Sequence, residues 1–89
     1  MSQITLEIVN EKGLHARASA KLVEVVEGFD ASAEVTKDGM NASGDSIMGL
    51  LMLAAAKGSF IDVETFGVDA DALAAALTAL VADKFGEGM

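Results

Sequence analysis

Cysteine and proline are both absent from the sequence, and histidine occurs only once, as His15. Without cysteine the chain has neither disulfides nor thiolate metal sites, and one histidine cannot form a histidine-rich metal site. We therefore expect no metal and no cofactor. The only aromatic residues are four phenylalanines, which are too few and too scattered to provide the stacking platforms of proteins that bind single-stranded nucleic acids.

Basic residues are scarce as well. The sequence contains six lysines and arginines but 14 aspartates and glutamates, which gives a formal net charge of −8. A chain with this charge repels phosphate backbones and anionic membranes. We expect no nucleic-acid partner. We also expect no membrane insertion, because the longest nearly uncharged apolar run, residues 47–56, is far shorter than the ~18 residues of a membrane span. The first residues do not resemble a signal peptide, so a cytoplasmic location is expected.

The length of 89 residues suits one compact domain, and we predict a single domain over residues 1–89. Apolar residues alternate in four segments, as in strands with one buried face, and recur at helical spacing in three others. In chain order the predicted elements cover residues 4–8, 16–29, 31–36, 40–43, 47–53, 60–66 and 69–85. This order, βαββαβα, predicts an α+β fold in which helices pack on one face of a small sheet.

Four local signals mark the ends of these elements. Gly28 lies where a left-handed residue would end the first helix. The dipeptide Asp38-Gly39 tolerates positive φ and predicts a tight hairpin turn between the second and third strands. Ser46 precedes the short apolar helix and is well placed to cap its first turn. Gly86 is the expected end of the last helix.

Residues 13–20, Gly-Leu-His-Ala-Arg-Ala-Ser-Ala, place His15 at the start of the first helix. The amides of Ala16, Arg17 and Ala18, together with the positive end of the helix dipole, favour an anion there. Arg17 adds a guanidinium that can bind phosphate through two donors. Because neutral imidazole is a nucleophile, His15 can accept and return a phosphoryl group. The spacing is equally compatible with a histidine that is only a polar residue at a loop–helix junction.

The segment GLHARASA resembles the active segment of the histidine-containing phosphocarrier family, HPr, of the bacterial phosphotransferase system. The resemblance covers essentially the whole chain, including the helix Ser-Ile-Met-Gly-Leu-Leu-Met-Leu, the Ala-Lys-Gly that follows it, and the acidic start of the last helix. It implies an open-faced β-sandwich with a four-stranded antiparallel sheet and three helices packed on one face.

The resemblance also implies a carrier and not an enzyme. His15 would receive a phosphoryl group from enzyme I, which is charged by phosphoenolpyruvate, through the ring nitrogen nearer the backbone. It would then pass the group to a downstream acceptor protein, while Arg17 and the helix-start amides stabilise the charge. We expect a partly exposed site, because a deeply buried phosphate would be held too strongly for transfer.

Two further features follow from the resemblance. Ser46 matches the serine that an ATP-dependent kinase, HPr kinase/phosphorylase, phosphorylates in many members, although a cap alone also explains a serine there. A docking surface for successive partners is expected, in which flexible methionine suits several proteins. Its expected residues are Leu14, Ala20, Ile47, Met48 and Leu51. We expect a monomer, because a carrier that binds successive partners through one face must keep that face free.

Two departures from the family pattern are notable. Ala18 stands where the family usually has proline, which makes the helix start less rigid and adds one free amide to the anion site. Glu24, Glu27 and Asp45 lie where members of the carbohydrate branch tend to be basic. This acidity favours a regulatory or nitrogen-branch system, whose partners would carry complementary charge.

Two other functions remain open on the sequence alone. Asp45-Ser46-Ile47 in a small acidic chain resembles the attachment site of an acyl carrier protein, with the prosthetic arm on Ser46. Those carriers are helical bundles with an acidic helix after the serine, whereas residues 47–56 contain no acid. A ferredoxin-like ligand-binding module shares the order βαββαβ, but it leaves the His-Ala-Arg segment unexplained.

Overall fold

The computed structural model describes residues 1–88 and confirms the predicted order of elements. A short 3₁₀ turn, Lys84–Gly86, follows the last helix, and we call it the C-terminal turn. The strands are β1 (Ser2–Glu7), β2 (Ser32–Lys37), β3 (Met40–Ser43) and β4 (Phe60–Phe66), and the helices are α1 (Ala16–Glu27), α2 (Ile47–Met52) and α3 (Ala70–Ala82).

The four strands form one antiparallel sheet in the order β1-β4-β2-β3. Val63 in the central strand β4 lies opposite Ile4 of β1 and Val35 of β2, so apolar residues meet across three strands. Alternate positions point to the other face, where the Thr5 hydroxyl donates to the Asp62 carboxylate at 2.7 Å. The predicted α+β architecture, with helices packed on one face of an antiparallel sheet, is therefore confirmed.

The hydrophobic core lies between the inner face of the sheet and the three helices. Each helix contributes through one stripe, as amphipathic spacing requires, and the C-terminal turn adds Phe85, the largest fully buried side chain. The principal helix residues of the core are Leu22 and Val26 of α1, Leu50 of α2, and Leu73, Leu77 and Val81 of α3. Across residues 1–88, no helix is both long enough and apolar enough to span a membrane.

The hairpin turn confirms its prediction, since Asp38 and Gly39 have φ values of 50° and 82°. The left-handed end predicted at Gly28 is wrong, because its φ is −79°. The amides of Gly28 and Phe29 instead bond to the carbonyls three residues earlier, at 3.1 and 3.3 Å. This tighter final turn satisfies the last carbonyls without a left-handed residue.

The last helix is shorter than predicted and ends at Ala82. Lys84 and Phe85 both have a φ of 55°, a left-handed conformation that a right-handed helix cannot continue. This reversal carries Phe85 back into the core. The expected helix end at Gly86 is therefore wrong, and Gly86 closes the C-terminal turn instead.

Ala54, directly after α2, has a φ of 52°, a conformation that costs a non-glycine residue about 1–2 kcal/mol. Glycine removes this strain, but its greater conformational freedom stabilises the unfolded chain by about 0.4–1 kcal/mol. We expect Ala54→Gly to raise the free energy of unfolding in urea by about 0.5–1 kcal/mol. Ala56→Gly, at an exposed position without positive φ, is the control and should lower it. A destabilised Ala54→Gly would contradict the prediction.

Candidate functional site

His15 is the N-cap residue of α1, with an extended backbone at φ −77° and ψ −176°. The loop that delivers it passes close to the segment after α2, where the Leu14 amide donates to the Ala55 carbonyl at 2.8 Å. Gly13 permits this approach, because its φ is 64° and a Cβ there would clash with the Ala55 carbonyl and lie 2.9 Å from Cα of Ala56. The His15 side chain stays 25% exposed.

The first hydrogen bond of α1 runs from the Ser19 amide to the His15 carbonyl at 2.8 Å. The amides of Ala16, Arg17 and Ala18 therefore precede the helical hydrogen-bond ladder and lie at the positive end of the helix. Ala16 and Arg17 are exposed, whereas the Ala18 methyl group is buried in the core. Ala16 and Arg17 therefore lie at the surface directly after His15 in the chain, whereas Ala18 is fully buried.

Glu87 is a site residue that sequence reasoning missed. Its carboxylate oxygen Oε2 contacts Nε2 of His15, and its other oxygen, Oε1, accepts a hydrogen bond from Nδ2 of Asn10 at 3.0 Å. Only 8% of the Glu87 side chain is exposed. Glu87 is 72 residues away from His15 along the chain, and no local motif connects the two, so only the folded chain reveals the pair.

Ser46 caps α2 as predicted. Its hydroxyl oxygen accepts a hydrogen bond from the Gly49 amide at 3.0 Å. In the same helix Ile47 and Met48 are exposed, Met48 to 71%, while Leu50 is fully buried. The predicted division of this short helix into an outer and an inner face is thus present, and Met52 extends the outer face by a further exposed apolar side chain.

The remaining residues of the expected docking surface differ in exposure. Leu51 is half-buried and lines a shallow depression with His15. Ala20 on α1 is also half-buried. Leu14 is only 4% exposed and packs in the core, but it lines the same depression as His15 and Leu51. Its place in a docking surface stays a prediction.

Comparison with known proteins identifies the family to which this chain belongs. A family model described as "PTS HPr component phosphorylation site" matches residues 2–83. The chain is 48% identical over 88 residues to the phosphocarrier protein HPr of Neisseria meningitidis, covering 99% of both proteins. It is 43% identical over 84 residues to the phosphocarrier protein NPr of Escherichia coli K12, covering 93% of both. A crystal structure of HPr from Thermoanaerobacter tengcongensis superimposes with a TM-score of 0.94, 35% identity and 100% coverage of both chains.

The chain belongs to the HPr family. Its function is that of a phosphocarrier in the phosphotransferase system. The acyl-carrier alternative is wrong, because the chain is a sheet with helices on one face and not a helical bundle. The ferredoxin-like alternative is wrong as well, since the whole chain matches HPr structures.

The charge of Glu87 is set by its surroundings. Desolvation by burial raises the pKa of its carboxyl group, but hydrogen bonds from His15 and Asn10 lower it, as do the positive charges of His15 and Arg17. The net effect is a pKa below the ordinary value of 4.5. This HPr-family protein therefore keeps a carboxylate, which only accepts hydrogen bonds, against its histidine at neutral pH.

A carboxyl group with a lower pKa in the folded than in the unfolded protein stabilises the fold at pH values above its unfolded-state pKa. This contribution is lost as the pH falls through the folded-state pKa. We therefore expect the difference in free energy of unfolding between the wild type and Glu87→Gln to be smaller at about pH 3 than at about pH 5.5. Urea unfolding at the two pH values measures it. Glu11→Gln, which removes one carboxylate from an exposed position nearby, controls for the change in net charge. A difference that grows on acidification would contradict the assignment.

Proposed function

We propose that His15 accepts a phosphoryl group from phosphorylated enzyme I and passes it to a downstream acceptor protein. The observation that carries this proposal is the position of a partly exposed histidine at the N-terminus of α1, beside Arg17 and three helix-start amides. Because Nε2 of the ring faces Glu87, Nδ1, the nitrogen nearer the backbone, is the acceptor. The protein acts as a carrier on which other proteins' active sites work, as a monomer in the cytoplasm.

The surroundings of His15 suit reversible carriage. The amides of Ala16, Arg17 and Ala18 lie at the positive end of the helix, and the Arg17 guanidinium offers two parallel donors to phosphate oxygens. Arg17 is exposed and His15 is a quarter exposed, so solvent weakens the attraction between Arg17 and a phosphoryl group on His15. The phosphoryl group is stabilised enough to persist between partners and remains open to attack by the next one.

The partners dock on the outer face of α2 next to His15. Ile47 and Met48 are exposed, and Leu51 borders the same depression as His15. Docking there would cover apolar surface without disturbing the core. Asp45 directly precedes Ser46 and lines a cleft with Glu27, and both acids are exposed. Together with exposed Glu24 they favour partners with basic surfaces. This charge supports a role in a regulatory or nitrogen branch.

The decisive test is incubation with phosphoenolpyruvate and a matching enzyme I, followed by measurement of the intact mass. We expect one acid-labile phosphoryl adduct on the wild type and none on His15→Ala, which lacks the nucleophile. Arg17→Ala is expected to be labelled about 10–100-fold more slowly, the equivalent of one lost charge-assisted hydrogen bond of about 1.5–3 kcal/mol. Labelling of His15→Ala would refute the proposal.

We also propose that phosphorylation of Ser46 by an ATP-dependent kinase, HPr kinase/phosphorylase, slows the charging of His15. The Ser46 hydroxyl is half-buried and borders the exposed residues Ile47 and Met48. A phosphate adds about −1.5 to −2 charges beside this docking surface. The dipole of α2 would stabilise it, whereas enzyme I would meet a more negative surface.

The effect of a negative charge at position 46 on the charging of His15 can be tested with an aspartate substitution. We expect Ser46→Asp to slow charging by enzyme I severalfold. Gln3→Glu is the control, because Gln3 is exposed on β1 and the substitution adds one negative charge away from α2. Treatment with a cognate kinase and ATP should give acid-stable phosphate on Ser46 and slower charging of His15. Equal charging rates for the phosphorylated and unmodified proteins would contradict this regulation.

A further inference from the structure

The C-terminal turn anchors Glu87 independently of its contact with His15. Phe85 is fully buried, and its carbonyl accepts a hydrogen bond from Nζ of Lys21 on α1 at 2.6 Å. The Glu87 amide in turn donates to the Lys84 carbonyl at 3.0 Å. Two consecutive left-handed residues, Lys84 and Phe85, form this turn. Such strain persists only where the surrounding structure enforces it, and it is concentrated at functional sites.

Asn10 fixes the carboxylate from the opposite side. Its amide nitrogen Nδ2 donates both to Oε1 of Glu87 at 3.0 Å and to the Gly13 carbonyl at 2.8 Å. Because Asn10 is fully buried, one side chain ties the Glu87 carboxylate to the loop that carries His15. The two oxygens of Glu87 therefore have separate partners, Oε1 with Asn10 and Oε2 with His15.

This geometry determines which ring nitrogen carries the proton. An ionised carboxylate has no proton to donate, so Nε2 of His15 must be the donor in its contact with Glu87. In a neutral imidazole the other nitrogen, Nδ1, then has a free electron pair. A carboxylate that fixes the tautomer and orientation of a histidine in this way is a known arrangement around metal-bound and catalytic histidines.

We propose that Glu87 is a positioning residue, which holds the His15 ring with Nε2 as the proton donor and so presents Nδ1 to the phosphoryl donor. The inference rests on the proposed role of His15. It assigns to His15 a partner, Glu87, that lies far away along the chain. Glu87 does not touch the phosphoryl group.

The transfer step shows why a carboxylate is suited to this place. The electron pair of Nδ1 forms the new bond to phosphorus, while the bond between phosphorus and the donor breaks and its electron pair stays with the donor. The ring keeps its Nε2 proton and becomes a cationic phosphoimidazolium. Glu87 neutralises this positive charge at Nε2. On transfer to the next protein the electron pair returns to Nδ1, and the ring is neutral again.

The first experiment uses the unphosphorylated protein and nitrogen-15 NMR of the His15 ring at about pH 8, where free imidazole is neutral. We expect the proton on Nε2 in the wild type. Because Glu87→Ala removes the charged acceptor of this hydrogen bond, we expect about 10–100-fold faster exchange of the proton with water in that variant. A wild-type ring protonated on Nδ1, or equal exchange rates in the two proteins, would overturn the inference.

The second experiment uses the phosphorylated protein and two charge-matched variants. Glu87→Gln and Glu11→Gln remove the same charge, and both glutamates line one depression with Lys12 and Arg17, the other charged groups that face it. Phosphorus-31 NMR follows the pH at which the phosphorylated ring loses its Nε2 proton. We expect this pH to fall by about one unit in Glu87→Gln and to stay unchanged in Glu11→Gln, with partial recovery in Glu87→Asp.

The two proposals fail in different ways. A wild-type protein that takes no phosphoryl group on His15 would refute the proposed function, even if the proton exchange behaves as expected. A Glu87→Gln protein that is charged normally and has the wild-type pH profile would refute the role of Glu87 alone. Urea unfolding of each variant at neutral pH separates these effects from loss of the fold.

Discussion

The one-sided burial of a small sheet is the constraint from which the rest of this structure follows. Four antiparallel strands place most of their apolar residues on one face, and the opposite face remains uncovered. That face carries Thr5 and Asp62 as well as the exposed Phe60 and Phe66. All three helices must therefore pack on the same side of the sheet, where they share the limited area of its apolar face. The C-terminal turn completes the core with Phe85, because the helices alone do not fill it.

This constraint also accounts for the position of the site. A helix that packs across the sheet has its N-terminus at the edge of the core, so the positive end of α1 is at the surface. His15 lies at this boundary, with the buried Leu14 before it and the exposed Ala16 after it. The loop is held by a backbone hydrogen bond from Leu14 to Ala55. The histidine is thereby rigidly placed and still open to solvent and to other proteins.

A carrier needs a site that stabilises its cargo only moderately. In the function we propose, helix-start amides and the exposed Arg17 would attract the phosphoryl group, and water would partly screen this attraction. Glu87 contacts Nε2 of the ring, where in our proposal it stabilises the proton and positive charge of the imidazole. The orientation of the nucleophile would then come from a largely buried carboxylate, whereas Arg17 would meet the phosphoryl group at the surface. The protein can thus be ordered around His15 without trapping the phosphate.

The sequence by itself determined the order of the elements, the hairpin turn at Asp38-Gly39, the cap at Ser46 and the position of His15 at the start of the first helix. Each of these depends on periodicity or on residues close together in the chain. It misjudged features that depend on packing. The left-handed reversal at Phe85, beyond the early end of the last helix, follows from how the C-terminal turn meets the core. Only the tertiary structure brought Glu87 to His15, since a contact across 72 residues requires the whole sheet and all three helices to be in place.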